Sequence, residues 1–371
     1  MRPGSIRRNF CNAIHALHPV LTPLARRFQW HNPHGRAPGA FRILEMSEEF
    51  ARRSGIRLHE DAAARGEYVA EFDDAICVST CGGVVLTRGN GIAEELTEFP
   101  WGWWFHPAMT RPWMPRVRAL ERDVVFLITP EAGGNFYHWM IDCLPRLALL
   151  ERHGFDLSKM IIVTTPLSHP YESESLRTIG IEAQNVMPLR DHTALRVPRA
   201  IVPALVHDVA HFAPWKREFL QRHFIDSRAL RPDCRKLFVG RGDATTRRLR
   251  NEAELFAFLK NHGFTEAKTS GLTLREQAAL FSSAEVIVAV HGAALTNLVF
   301  CREGTLVCEI QSEASPQEFY ARISETCALR YHRIAAQPVR QVAKPHHANK
   351  VDLVLSPEGL KNIAALLESN P

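Results

Sequence analysis

The stretch GGNFYHWMIDCLPRLALL, residues 133–150, combines residue types that can do acid–base chemistry. His138 and Asp142 are four residues apart, so they share one face if the stretch is helical. A carboxylate beside a histidine is suited to removing the proton of an attacking hydroxyl group. The structural alternative is that the two side chains satisfy each other or cap neighbouring backbone groups. Pro145 predicts a kink or the first residue of a second helix.

A second candidate site follows an apolar strand in AEVIVAVHGAALTNLVF, residues 284–300. The strand is expected to end at Val290, which leaves His291 at its carboxyl end and lets the backbone at Gly292 approach a ligand. Ligands of open α/β sheets bind beyond the carboxyl ends of the strands, and the N-terminus of a following helix attracts phosphate. This stretch therefore predicts an anion site, with a tight turn capped by His291 as the structural alternative.

The stretch FVGRGDATTRRLRNEAEL, residues 238–255, follows the first strand of the same domain with several arginines, of which Arg241, Arg247 and Arg248 come first. Guanidinium groups bind phosphate through paired hydrogen bonds. Glu309 ends a later strand, where a carboxylate can accept hydrogen bonds from ribose hydroxyls. These groups are expected to meet at one sheet edge and hold a diphosphate without a metal, stabilising the charge of a departing diphosphate. A solvated charged loop is the alternative.

Several other classes are disfavoured by the sequence. The motif Gly240-x-Gly242 lacks the third glycine of the dinucleotide fingerprint because Thr245 stands there, and no G-x-x-x-x-G-K-[ST] loop is present. The net charge of +5 comes with scattered arginines and no RNA-binding signature, which disfavours a nucleic-acid partner. The eight cysteines contain no C-x-x-C pair, so neither a zinc site nor a disulfide framework is indicated.

The 371 residues are enough for two domains. The second half alternates strands with helices, which predicts a doubly wound domain around a parallel sheet. The expected organisation is a basic N-terminal segment (1–44), a first domain (45–230), a second domain (231–335), and a linker with a closing helix (336–371). No apolar run reaches the length of about 18 residues that a membrane-spanning helix needs.

Two segments have open interpretations. Residues 1–44 contain seven arginines and no Asp or Glu, so they are expected to lie on an anionic membrane face, to act as an organelle transit peptide, or to form a poorly ordered tail. Residues 99–116 hold four tryptophans among prolines. Tryptophan offers flat apolar area with one polar group, so this loop suits contact with carbohydrate, with a membrane, or with another part of the protein.

Four stretches taken in order resemble the motifs of glycosyltransferase family 61: NFYHWMIDCLPRL (135–147), GRGDATTRRLRNEAEL (240–255), VHGAALTNLVF (290–300) and Glu309 with Ile310. The resemblance implies an α/β, GT-B-like fold, in which two Rossmann-like domains face a cleft and the C-terminal helix packs back on the first domain. It also implies a nucleotide-sugar donor and inversion at the anomeric carbon, with no metal and no other cofactor.

The resemblance also assigns roles to residues. Asp142 and His138 are the expected catalytic residues, and which of them is the base stays open. Asn135, His138 and Arg146 are expected on the acceptor side. The expected donor-binding residues are Arg241, Arg247, Arg248, His291, Gly292, Ala293, Ala294, Asn297 and Glu309.

Bacterial members of this family implicated in capsular polysaccharide biosynthesis suggest the setting. The expected enzyme is a cytoplasmic hexosyl- or pentosyltransferase that moves a sugar from a UDP-sugar to a glycan or lipid-linked glycan at the inner membrane face, with peripheral contact through residues 1–44. The alternative is a non-catalytic nucleotide-sugar-binding or partner-recruiting protein. An oxidoreductase using the same kind of sheet is disfavoured by the missing third glycine.

Overall fold

The computed structural model describes residues 42–44, 56–60, 67–79, 83–86, 91–93, 96, 115–129, 131–205, 212–231, 234–242, 244–340 and 350–369. The predictions for residues 1–41 and for the tryptophan-rich stretch up to residue 114 fall outside this set. The chain divides into two compact units, Met1–His207 and Asp208–Pro371. The sequence predicts a boundary after residue 230, whereas this division lies earlier, after His207. Within the described part of the chain, no helix has the length and apolarity that crossing a membrane requires.

The first unit is built on one mixed sheet, whose described strands run in the order β1-β5-β4-β3-β10-β7-β8-β9, with β2 added on β3 and β6 on β10. The strands are β1 (Arg42–Leu44), β2 (Arg57–Glu60), β3 (Tyr68–Ser79), β4 (Gly83–Leu86), β5 (Gly91–Ala93), β6 (Val117–Ala119), β7 (Val124–Phe126), β8 (Ile161–Thr164), β9 (Val186–Pro188) and β10 (Thr193–Pro203).

Only part of this sheet has the parallel order of a Rossmann-like domain. Strands β10, β7, β8 and β9 are parallel to one another, whereas β3 pairs antiparallel with both β10 and β4. The parallel order that a Rossmann-like first domain requires is thus present in only part of the described sheet. The two halves share one core, in which Phe72 of β3 packs with Val124 of β7 and Val163 of β8.

The helical segments of the first unit connect its parallel strands. A continuous helical stretch follows β7 and changes geometry along its length: α1 (Phe136–His138), a π-helical turn (Trp139–Cys143), a 3₁₀ turn (Leu144–Arg146) and α2 (Leu147–Arg152). Helix α3 (Pro170–Thr178) follows β8. Pro145 lies in the first turn of the 3₁₀ segment, where a residue without an N–H is tolerated. The predicted bend is thus a change from a wide turn to a tight one.

The second unit contains the predicted parallel sheet. Its described strands run in the order β12-β11-β13-β14-β15-β16, and only β16 is antiparallel. The strands are β11 (Lys236–Val239), β12 (Thr265–Glu266), β13 (Val286–Val290), β14 (Leu306–Ser312), β15 (Arg330–Pro338) and β16 (Leu353–Val354). The helices are α4 (Pro214–Phe224), α5 (Glu252–Lys260), α6 (Leu274–Ser283), a 3₁₀ helix (Ala293–Phe300), α7 (Phe319–Thr326) and α8 (Pro357–Glu368).

The strands at the centre of this sheet are buried on both faces. All five residues of β13 and all seven of β14 are buried, which explains why β13 reads as the continuous apolar run VIVAV. Each strand ends at the same edge of the sheet because β11, β13 and β14 are parallel. This edge is where the predicted site residues of the second half lie.

The C-terminal helix α8 belongs to the second unit. Ser356 caps it by accepting a hydrogen bond from the Gly359 amide, and Pro357 occupies its first turn, as the sequence predicts. Its apolar residues Ile363 and Leu367 are part of the core beneath the second sheet. The packing of this helix on the first domain stays a prediction.

Candidate functional site

The histidine of the first unit lies between two carboxylates. His138 Nδ1 is 2.7 Å from Asp142 Oδ2, and His138 Nε2 is 2.8 Å from Glu131 Oε2. The sequence predicts the first contact from the four-residue spacing. Glu131 was not predicted, because it precedes the helix in a turn whose direction the sequence does not reveal. Both ring nitrogens of His138 therefore face a hydrogen-bond acceptor.

The two carboxylates decide the charge of His138. Burial opposes the charged form of the ring, but the hydrogen bonds to Asp142 and Glu131 outweigh it and raise the pKa of His138 to about 9. At neutral pH the ring is thus an imidazolium that donates through both nitrogens. An imidazolium has no lone pair with which to take a proton. Asp142 Oδ1, by contrast, makes no hydrogen bond to any described residue.

The turn that carries Glu131 follows β7 and is held in place by Glu172. The buried carboxylate of Glu172 accepts a hydrogen bond from the Gly134 amide at 2.9 Å and another from the His169 amide at 2.7 Å. Gly134 has a φ of +85°, which favours glycine. One buried carboxylate therefore joins the segments that follow β7 and β8, at the carboxyl ends of two parallel strands.

The π-helical turn sets the direction of Asp142. Here the Leu144 amide donates to the carbonyl of Trp139, five residues back. Trp139 is fully buried, and its indole N–H donates to Ser175 Oγ at 2.9 Å, which anchors the turn on helix α3. Single π turns within helices occur often at functional sites because they re-aim side chains without ending the helix. Nothing in the sequence signals this turn.

The other two residues predicted on the acceptor side have local structural roles. Asn135 is the N-cap of the helix and accepts a hydrogen bond from the Tyr137 amide. Arg146 is buried and donates to the carbonyls of Ala204 and Pro203 and to Thr129 Oγ1. These contacts fix the helix to the ends of β7 and β10. Arg146 is thus a structural anchor, and its contact with an acceptor stays a prediction.

The histidine of the second unit also contacts a carboxylate, but in a different setting. Glu309 Oε1 of β14 forms a short hydrogen bond with His291 Nδ1, and Glu309 Oε2 accepts one from the Tyr331 hydroxyl at 2.6 Å. Glu309 is completely buried. Both its oxygens make hydrogen bonds inside the fold, and its role as a ribose ligand stays a prediction. The sequence did not predict Tyr331, which lies on the next strand, β15.

Arg241 lies directly against Gly292. A Cβ atom added at Gly292 would come within 1.8 Å of Arg241 Nη1, which is far closer than any real contact. The arginine therefore occupies the space that a side chain at position 292 would fill. Arg241 also donates from its backbone amide to Glu252 Oε2 and from Nη2 to the Thr246 carbonyl. The loop after β11 and the turn after β13 thus converge, as the sequence predicts.

Arg247 lies near the same group of residues. Its backbone has a φ of +58°, a left-handed conformation that is uncommon outside glycine and is typically kept at functional sites. Burial lowers the pKa of its guanidinium, while the charges of Tyr320 and Glu309 nearby oppose that change. Its Nε is buried and has no hydrogen-bond partner among the described residues. A partly desolvated cation of this kind favours an anionic ligand.

Arg248 and Asn297 point to other partners. Arg248 is exposed; its amide donates to Asp352 Oδ1, and its guanidinium is 3.7 Å from Asp352 Oδ2. Asn297 is fully buried and donates to Gln277 Oε1 and to the Ala294 carbonyl. The structure therefore places Arg248 in a surface ion pair and Asn297 in the support of the turn, and the predicted donor contacts of these two side chains are not supported.

The helix predicted after β13 is a 3₁₀ helix that begins with Ala293 and Ala294, and Gly292 is its N-cap. Its first turn is closed by a hydrogen bond from the Leu295 amide to the Gly292 carbonyl. The first amides of any helix lack partners within it, so they remain oriented to receive an anion. His291 begins this turn, and its ring centroid is 5.2 Å from that of Tyr320 on α7.

Comparison with known proteins agrees with the resemblance seen in the sequence. The family model for Glycosyltransferase 61 matches residues 136–308, somewhat less than half of the chain. The matched region includes His138, Asp142, Arg241, Arg247 and His291. A search of curated proteins found no match. The matched part of the chain is therefore similar to glycosyltransferase family 61.

Proposed function

We propose that the chain is an inverting glycosyltransferase that moves a sugar from a UDP-sugar to a hydroxyl group of a glycan acceptor. The observation that carries this proposal is the position of Arg241 against Gly292, beside His291. It brings a guanidinium, an imidazole and the first amides of a 3₁₀ helix together at the carboxyl ends of two parallel strands. A diphosphate fits this set of donors by charge and by hydrogen bonding.

The second unit supplies the leaving-group half of the reaction. When the bond between the anomeric carbon and the diphosphate breaks, negative charge grows on the departing oxygen. Arg241, Arg247 and His291 stabilise that charge more strongly in the transition state than in the ground state, which is the condition for catalysis. Because three protein side chains stabilise this charge, we expect donor hydrolysis to persist in the presence of EDTA.

The first unit supplies the base. His138 is held as a cation between two carboxylates, so it cannot accept the acceptor's proton at neutral pH. Asp142 takes the hydroxyl proton through Oδ1 while Oδ2 stays on His138. Glu131 holds the far nitrogen of the ring, so the cation neither rotates nor titrates near pH 7. This division of roles follows the two-domain GT-B arrangement that the family resemblance implies.

The setting that we propose is the synthesis of capsular or other cell-surface polysaccharide at the inner membrane face. It rests on the resemblance to bacterial members of the family and on the basic composition of residues 1–44. The sugar and the exact acceptor are questions for substrate screening. A non-catalytic nucleotide-sugar-binding protein is the competing function, and it shares the second-unit site while making no use of Asp142.

A thermal-shift panel of UDP, GDP and CMP, followed by an assay of donor hydrolysis, tests the proposal. A ligand at 100 times its Kd adds about 2.7 kcal/mol to the free energy of unfolding. We expect UDP to give the largest shift and the matching UDP-sugar to be slowly hydrolysed without acceptor. Binding without hydrolysis or transfer would favour the non-catalytic alternative, and the absence of any nucleotide effect would contradict both functions.

A further inference from the structure

We propose that Glu309 and Tyr331 are positioning residues that fix the ring of His291 at the diphosphate of the nucleotide sugar. The inference rests on the proposed function and adds a specific role for two buried groups that do not touch the substrate. The Tyr331 hydroxyl donates to Glu309 Oε2, and His291 Nδ1 donates to Glu309 Oε1. The three side chains thus form one chain of hydrogen bonds from β15 through β14 to the end of β13.

The register of the sheet makes this chain possible. Strands β14 and β15 are parallel, with Glu309 opposite Arg333 and Val307 opposite Tyr331. Tyr331 is two residues from Arg333, so both project from the same face as Glu309. Burial and the Glu309 charge raise the pKa of Tyr331, so its hydroxyl stays protonated and remains a donor. Glu309 is thereby fixed as an acceptor for His291.

The bond to Nδ1 determines which nitrogen of His291 is left for a ligand. A histidine whose Nδ1–H is held by a carboxylate has its tautomer and its ring plane set, so that Nε2 is the remaining polar atom. Gly292 follows directly and carries Arg241 against it. His291 is therefore oriented at the point where the two phosphate-binding loops converge.

The charges around His291 come from several elements. Glu309 approaches from β14, Tyr320 from α7, and Arg241 from the loop after β11, while Arg247 lies within electrostatic reach of Glu309 and Tyr320. Of these groups, Glu309 is the one that bonds to Nδ1, and Tyr331 acts on the ring through Glu309. Removing the Glu309 carboxylate should therefore disturb the His291 ring more than removing the hydroxyl of Tyr331.

Side-chain ¹⁵N NMR of histidine-labelled protein tests this directly, with the His291 signal assigned by its loss in His291→Gln. We expect the ¹⁵N chemical shifts of the His291 ring to change in Glu309→Gln and, by a smaller amount, in Tyr331→Phe, because both variants alter the hydrogen bond at Nδ1. Glu325→Gln, an exposed carboxylate of the same unit paired with Arg322, is the matched control and should leave these shifts in place. Unchanged ring shifts in Tyr331→Phe, which removes one oxygen atom, would overturn the proposal even if Glu309→Gln failed to fold.

Calorimetric titration with UDP gives the second readout. We expect Tyr331→Phe to weaken UDP binding by about threefold to tenfold in the wild-type background and by less than twofold in His291→Gln, because Tyr331 acts through that ring. Equal losses in both backgrounds would show a merely structural role and overturn the inference. If the ¹⁵N shifts of the His291 ring change as expected while wild type binds no nucleotide, the positioning chain stands and the proposed function fails.

Discussion

The two units each place a histidine against a carboxylate, and the difference between the two pairs is informative. His138 is partly exposed and contacts two carboxylates, one at each ring nitrogen. His291 is buried and contacts one carboxylate, whose other oxygen is taken by Tyr331. The first arrangement occupies the whole ring, whereas the second leaves Nε2 for a ligand. The same pair of residue types thus holds a charged histidine in the first unit and orients a histidine ring in the second.

The supporting structure differs in the same way. The first site depends on a turn, a π-helical segment and the capping carboxylate Glu172, which are all local features. The second depends on side chains from adjacent parallel strands and from the loop after β11. We therefore expect changes in the first site to act mainly on proton transfer, and changes in the second to act mainly on donor affinity.

Asp142→Asn should produce the largest effect and test this contrast most severely. An amide cannot accept the acceptor's proton, so we expect sugar transfer to fall by about 100-fold or more while the Kd for UDP stays within twofold. Asp191→Asn is a matched control, because Asp191 forms a loose pair with His192 on the surface of the same unit. A fall in UDP affinity equal to the fall in transfer rate would show that Asp142 acts in donor binding and not as the base.

Gly292→Ala should act on the opposite property. The new methyl group would displace the Arg241 guanidinium, and we expect the Kd for UDP to rise by about tenfold or more. Arg241→Gln should give a similar loss, and the double variant should be little worse than either single one because both remove the same contact. Fully additive losses, measured by calorimetry, would show that Arg241 does not depend on Gly292.

The pH dependence of stability should report the charge of His138. The folded pKa of His138, about 9, lies above its ordinary value of 6.5, so its contribution to stability is complete below about pH 6.5 and is lost as the pH rises towards 9. We expect a loss on the order of 2 kcal/mol in wild type, after allowing for partial exposure, and a smaller one in Glu131→Gln. Urea unfolding from pH 6 to 10 measures this difference. A pH dependence that is identical in the two proteins would exclude the charged triad.

Arg248→Gln should have the smallest effect. Its guanidinium is exposed and directed at Asp352, so we expect UDP affinity to change by less than twofold and the free energy of unfolding by no more than about 0.5 kcal/mol. Arg247→Gln is the neighbouring comparison and should weaken UDP binding several-fold. Equal losses from both variants would mean that the phosphate site extends across the whole loop.

Local pattern was enough to predict part of this molecule. The apolar run of β13 and the alternation around it predict the parallel sheet, and the four-residue spacing predicts the contact between His138 and Asp142. Parallel strands end at one edge, so the convergence of Arg241 with Gly292 also follows from topology. These features depend on periodicity and chain direction, which can be read directly from the sequence.

The remaining features depend on contacts between distant residues. Glu131 reaches His138 from a preceding turn, and Tyr331 reaches Glu309 because of a strand register that no local pattern encodes. Arg146 and Glu309 are buried and bond to other parts of the fold, which the sequence motifs that contain them do not reveal. The antiparallel half of the first sheet was missed for a similar reason, since strand pairing is a non-local choice.

The central claim is that Arg241, Arg247 and His291 bind a diphosphate on the second unit. The most direct measurement is calorimetric titration of the wild-type protein with UDP, uridine and inorganic pyrophosphate, repeated with Arg241→Gln. The account predicts that UDP and pyrophosphate compete for one site, that uridine binds at least 100-fold more weakly than UDP, and that Arg241→Gln weakens UDP and pyrophosphate together. Equal affinity for uridine and UDP, or UDP binding untouched by Arg241→Gln, would contradict it.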